Sequence, residues 1–106
     1  MEISPRTIIF PSVTPGSTYT ARVVVRNTAH RSARIRVKSV SEYLRVNLLD
    51  WLPIAPGMTG NIFVEFEFRN GESMPRELDG EFKILSSEAV DATVGVKIKR
   101  GTCVQL

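Results

Sequence analysis

Few residues in this chain have types and spacings suited to chemistry. His30 is the only histidine and Cys103 the only cysteine. A metal site needs several His, Cys or carboxylate ligands converging on one point. These two lie far apart with no ligand spacing around them, so no metal is expected. His30 sits between Ala29 and Arg31 in a polar stretch and reads as a solvated turn residue. Nucleophilic catalysis needs an activated Ser or Cys beside a base. Cys103 is near the end of the chain and no Gly-x-Ser-x-Gly elbow occurs, so Cys103 reads as a half-buried small hydrophobe or a free thiol. Glu65 and Glu67 share one face of a strand pattern, the arrangement of an acid/base pair, but such neighbours ordinarily meet Lys or Arg across a sheet. Gly57 and Gly60 precede a strand pattern instead of a helix, so they form no phosphate cradle. The lone tryptophan, Trp51, reads as core or edge packing, with partner binding as the alternative. No catalysis, cofactor or small-molecule substrate is expected. What remains is charge. In VVVRNTAHRSARIRVKSV, Val23–Val40, the sequence alternates, turns and alternates again, and its later outward positions are Arg34, Arg36 and Lys38.

The elements that must position these residues are strands. Apolar residues recur with period two, and β-branched and aromatic side chains fill the alternating runs. Seven strands are predicted: Glu2–Phe10, Thr18–Thr28, Ala33–Val40, Leu44–Leu48, Asn61–Phe68, Gly80–Leu85 and Ala92–Lys99. Ile8, Phe10, Tyr19, Ala21, Val23, Val25, Ile35, Val37, Leu44, Val46, Ile62, Val64, Phe66, Phe68, Phe82, Ile84, Val94, Val96 and Ile98 are predicted to face inward. Thr14-Pro15-Gly16-Ser17 and Asn27–Ser32 read as turns, Leu52–Gly57 as a proline-rich loop, and Arg69–Asp79 as a long polar loop. The spacing of short strands and turn signals predicts an all-β, seven-stranded immunoglobulin-like sandwich.

With 106 residues, 42% hydrophobic and 24% charged, the chain can bury a core without staples. Residues 1–100 are expected to form the domain and 101–106 a tail or linker toward a following one. No run approaches the ~20 apolar residues of a membrane helix, so no membrane insertion is expected. No signal peptide is evident at Met1–Pro5, and one cysteine cannot staple its own chain; both fit a cytoplasmic setting. The net charge of +3 is too small to argue for nucleic acid by itself.

The order of these motifs resembles the abnormal-spindle/Hydin (ASH) domain. ISPRTIIF is similar to its opening strand and TYTARVVVRNTAHRSARIRV to its second and third strands around an Asn-Thr turn. LPIAPGMTGNIFVEFEF resembles its Leu-x-Pro-Gly turn and following strand, and GEFKIL and TVGVKIK its last two strands. The family's usual Phe-Gly after the first strand is Phe10-Pro11 here. The resemblance implies a sandwich related to major sperm protein and PapD, and a non-catalytic interaction or scaffold module of a ciliary, centrosomal or cytoskeletal protein that binds partners through a basic sheet face or by strand addition at its sheet edges.

The resemblance also implies how strands divide between sheets. The first, second and fifth predicted strands would share one sheet; the third, sixth and seventh would share the other. On the first, Arg22 and Arg26 would then balance Glu65 and Glu67. On the second, Arg34, Arg36, Lys38, Lys83, Lys97 and Lys99 would face out against Glu81 alone. A basic face of this kind serves solubility or steers an acidic protein partner. Two alternatives for that partner stay open. VAMP-associated proteins, relatives within the major sperm protein group, bind acidic FFAT peptides on the equivalent sheet. Their Val-Lys-Thr-Thr stretch is similar to Val37-Lys38-Ser39-Val40, where Lys38 carries over and Val40 departs, and Lys83 is a candidate for their downstream lysine. The other alternative is tubulin in a microtubule-binding module. No aromatics interleave the basic positions, which argues against single-stranded nucleic acid. Oligomeric state is not written in the sequence.

Overall fold

Alternating β-branched and aromatic residues form nine strands in the computed structural model, which describes residues 1–48 and 50–101. These are β1 (Glu2–Ser4), β2 (Thr7–Val13), β3 (Ser17–Arg26), β4 (Ala33–Lys38), β5 (Leu44–Val46), β6 (Leu52–Ile54), β7 (Thr59–Phe68), β8 (Glu77–Ser86) and β9 (Ala92–Arg100). They pack as two sheets, ordered β1-β3-β7-β5 and β2-β9-β8-β4-β6. The residues expected to face inward lie between the sheets, all buried except the half-buried Tyr19, Ala21 and Val46. Tyr19 packs tilted against Phe10, 6.1 Å between ring centres. Cys103 and the 102–106 tail lie outside the described residues.

Three expectations are corrected. The predicted first strand is two strands on two sheets: β1 pairs antiparallel with β3, whereas β2 pairs parallel with β9. Pro5 separates them. It has no N–H to continue the ladder, so the chain leaves one sheet there and joins the other. Only Glu2–Ser4 therefore shares a sheet with β3 and β7. Within the predicted loop, Leu52–Ile54 is the edge strand β6, paired with Ala33–Ile35. Pro53 is tolerated there because an edge strand has one unpaired side. The long polar loop ends at Arg76, since β8 already begins at Glu77. Glu77-Leu78-Asp79 keeps the period-two pattern, with Leu78 packed on the core. Gly80 allows the strand to pass Tyr43 closely: a Cβ there would lie 2.9 Å from the Tyr43 Oη.

The predicted Asn27–Ser32 turn has a buried origin. Asn27 is 1% exposed, the one buried polar residue among those described. Its Nδ2 donates to the Arg31 and Ile54 carbonyls, each at 2.9 Å, and its Oδ1 accepts from the Ala29 N–H at 2.9 Å. Its backbone N–H donates to the Met58 carbonyl, and its own carbonyl accepts from the Gly57 N–H. One side chain thus ties the β3–β4 turn to β6 and to the Ala55–Met58 turn. That turn closes through Met58 N–H to the Ala55 carbonyl, with Gly57 at φ 76°, the positive φ a type II turn requires.

Candidate partner-binding face

Ala33, Ile35 and Val37 of β4 are buried, so Arg34, Arg36 and Lys38 point out from the five-stranded sheet. On the neighbouring β8, buried Phe82 and Ile84 turn Lys83 to the same side. Register sets Lys83 directly opposite Lys38, and Leu85 opposite Arg36. Like charges directly opposite on paired strands are destabilising. None of these four cations takes part in an ion pair among the described residues, where the ion pairs are Arg31–Glu88, Arg45–Glu65, Arg45–Glu67 and Arg69–Glu67. The Trp51 ring lies against two of them, 5.7 Å from the Arg34 guanidinium and 5.3 Å from that of Arg36. Trp51 is 44% exposed, so it is neither core nor free: it is a surface ring stacked on cations. The Arg36 Nε is buried and has no acceptor among the described residues.

Lys97 and Lys99 also face out, from β9, but they differ in company. Asp79 stands opposite Lys97 and Glu77 opposite Lys99. With β8 beginning at Glu77, these acids join Glu81 on the face, so Glu81 is not its only acid. The positive charge therefore concentrates on β4 and the β8 end bearing Lys83. On the other sheet, Arg22 faces Phe63, and Arg26 lies between Thr59 and Glu2. Neither balances Glu65 and Glu67 as expected. Arg45 of β5 does, with its Nη2 at 2.9 Å from Glu65 and 2.6 Å from Glu67.

No protein-family model and no curated protein sequence matches the chain. Solved structures do. An ASH/PapD-like domain of human CEP192, its PapD-like domain 7, superposes with a TM-score of 0.76 at 12% identity, covering 97% of this chain and 86% of that one. SSP-19, an MSP-domain protein of Caenorhabditis elegans, matches with a TM-score of 0.59 at 12% identity over 96% of this chain and 100% of that one. The CupB2 chaperone of Pseudomonas aeruginosa matches with a TM-score of 0.68 at 12% identity, over 93% of this chain and 55% of its own. The chain has the ASH/major-sperm-protein/PapD-like immunoglobulin fold. The neighbours are mainly non-enzymatic PapD-like and MSP domains; a family 123 glycoside hydrolase of Clostridium perfringens also matches, over 23% of its own chain.

On this PapD-like sandwich the basic cluster ends abruptly. β4 stops at Lys38, and Ser39 adopts φ 55°, a left-handed conformation uncommon outside glycine. Ser39 and Val40 therefore do not extend the strand beyond Lys38. Elsewhere, a cleft of about 500 Å³ lies between the β5–β7 end and the 69–76 loop. Its floor includes Tyr43, Phe66, Phe68 and Met74, and it shares no residue with the basic cluster. His30 is exposed in its turn, and no group of three His, Cys, Asp or Glu is placed to hold a metal among the described residues. Sequence reasoning missed four contributors to the charge pattern: Trp51 as a cation-stacking ring, Glu77, Asp79 and Arg45. The signal for Arg45 was present, since it alternates outward between Leu44 and Val46 on a short strand.

Proposed function

We propose that this chain is a non-catalytic interaction module that takes an acidic protein segment on the β4–β8 face, as part of a ciliary or centrosomal scaffold. The observation that carries the reading is the unpaired cluster of Arg34, Arg36, Lys38 and Lys83 with Trp51 stacked over two of its members. Four cations on one rigid sheet steer and hold an anionic chain, and arginine forks pair carboxylates in register. Lys97 and Lys99 widen the field more than they anchor it, because Asp79 and Glu77 stand opposite them. The ciliary or centrosomal setting is supported by the ASH-like order of motifs and by the shared fold. An FFAT-type acidic peptide and tubulin are the two partners to separate. Lys38 favours the peptide, since it matches the lysine of the FFAT-binding stretch on a face of the same kind.

The test is a titration of the domain and of its R36E/K38E double variant with an acidic FFAT-type peptide and, separately, with tubulin. Both side chains leave the outer face of β4, and a thermal melt of the variant checks that its fold is kept. Its affinity for the acidic partner is expected to fall at least about tenfold. A double variant that binds as the native chain does would remove the face from the account.

A further inference from the structure

The same cluster ends in a hydroxyl that suits a regulatory modification. Arg34-Ile35-Arg36-Val37-Lys38-Ser39 places arginines five and three residues before a serine, a spacing that arginine-directed serine kinases read. Both arginines lie on one face of an extended strand; β6 pairs with β4 only through Ala33–Ile35, the Val37 N–H beyond it donates to the Leu48 carbonyl at 3.3 Å, and the chain leaves the sheet at Ser39. Ser39 is exposed, follows the last residue of β4, and has no hydrogen bond to its hydroxyl among the described residues. The nearby Ser41 differs. Its hydroxyl donates to the Glu81 carbonyl at 3.2 Å and accepts from the Glu81 N–H at 3.0 Å.

We infer that Ser39 is a phosphorylation site and that its phosphate switches off the acidic-partner face. The step needs a kinase and a nucleoside triphosphate. The Ser39 Oγ attacks the γ-phosphorus, the bond from that phosphorus to the β,γ-bridging oxygen breaks, nucleoside diphosphate leaves, and the hydroxyl proton passes to the kinase's carboxylate base. The product carries about −1.5 to −2 charge at neutral pH and three acceptor oxygens. It stands one residue from Lys38, which faces Lys83, and three from Arg36, whose Nε lacks an acceptor. An anion tethered there competes at high effective concentration with any acidic segment arriving from solution.

This inference rests on the proposed acidic-partner reading, and one experiment separates the two. The folded domain and its Ser39→Gly variant are treated with protein kinase B and ATP, the phosphate is mapped by mass spectrometry, and both are titrated with the acidic FFAT-type peptide. Glycine suits the positive φ at position 39, so that variant stays folded. The expected result is one phosphate, on Ser39, absent from the variant, and peptide affinity reduced about tenfold or more in the phosphorylated domain. No incorporation, incorporation elsewhere, or a phospho-Ser39 domain that binds as before overturns the inference. An unmodified domain that ignores the peptide overturns the acidic-partner reading and the switch together, while the mapping still decides whether Ser39 is the acceptor.

Discussion

At the residue scale, two side chains matter beyond what their neighbours suggest. Asn27 serves five backbone groups from a buried position, three through its side chain. Asn27→Ala leaves the Ala29 N–H and the Arg31 and Ile54 carbonyls without partners, so it should cost about 2–4 kcal/mol in a urea melt, at ~1 kcal/mol per lost bond. The second is Trp51. Exposed cation–π contacts contribute ~0.5–1 kcal/mol each, so Trp51→Ala should lower stability by no more than about 2 kcal/mol. It should weaken the acidic partner by releasing the guanidinium groups that the ring restrains. Neither role was legible in the sequence. An asparagine beside Thr28 and His30 looks like any turn residue, because the carbonyl it reaches at Ile54 is distant in sequence. The ring of Trp51 meets Arg34 and Arg36 only because β6 brings the 50s segment alongside β4.

At the element scale, period two was a reliable guide and proline was the difficulty. The inward residues of β3, β4, β7, β8 and β9 follow directly from alternation. Pro5 and Pro53 act in opposite senses: one ends pairing and moves the chain to the other sheet, the other sits within an edge strand. Sequence alone does not say which, because the outcome depends on whether the missing N–H faces a partner strand. The Ile54 and Leu52 side chains of β6 pack over Gly60 of β7. A Cβ there would lie 2.9 Å from the Ile54 Cδ1 and 3.1 Å from the Leu52 Cδ2. Gly60→Val should therefore force the Ile54 and Leu52 side chains to repack and cost about 1–3 kcal/mol by thermal denaturation. The β8–β9 register makes a separate prediction. K97A/K99A should reduce affinity for an acidic peptide by less than half as much, in free energy, as R36A/K83A, because only the latter removes cations with no acid opposite. Equal effects, measured by calorimetry, would spread the site over the whole sheet.

At the scale of the whole molecule, charge is distributed by sheet, as the sequence suggested, but through different residues. Arg45 ties Glu65 and Glu67 on the four-stranded sheet, while the five-stranded sheet keeps its excess on β4 and Lys83. Those ion pairs are partly exposed, so Arg45→Ala should change stability by less than about 1 kcal/mol. The sandwich class was legible because alternation, turn chemistry and strand spacing all pointed the same way. The sharper map of the face was not, because it depends on which acids register opposite which lysines. Binding to such a surface should weaken steeply with salt, since exposed charges are screened over ~8–10 Å at physiological ionic strength.

The measurement that tests the central claim most directly is a chemical-shift titration of the labelled domain with an acidic FFAT-type peptide and with tubulin, at low and physiological salt. The account predicts salt-sensitive shifts centred on Arg34–Lys38, Lys83 and the Trp51 indole N–H, with smaller changes at Lys97 and Lys99. Shifts confined to the β1 and β2 edges, or none with either partner, would contradict it and return the basic cluster to a role in solubility.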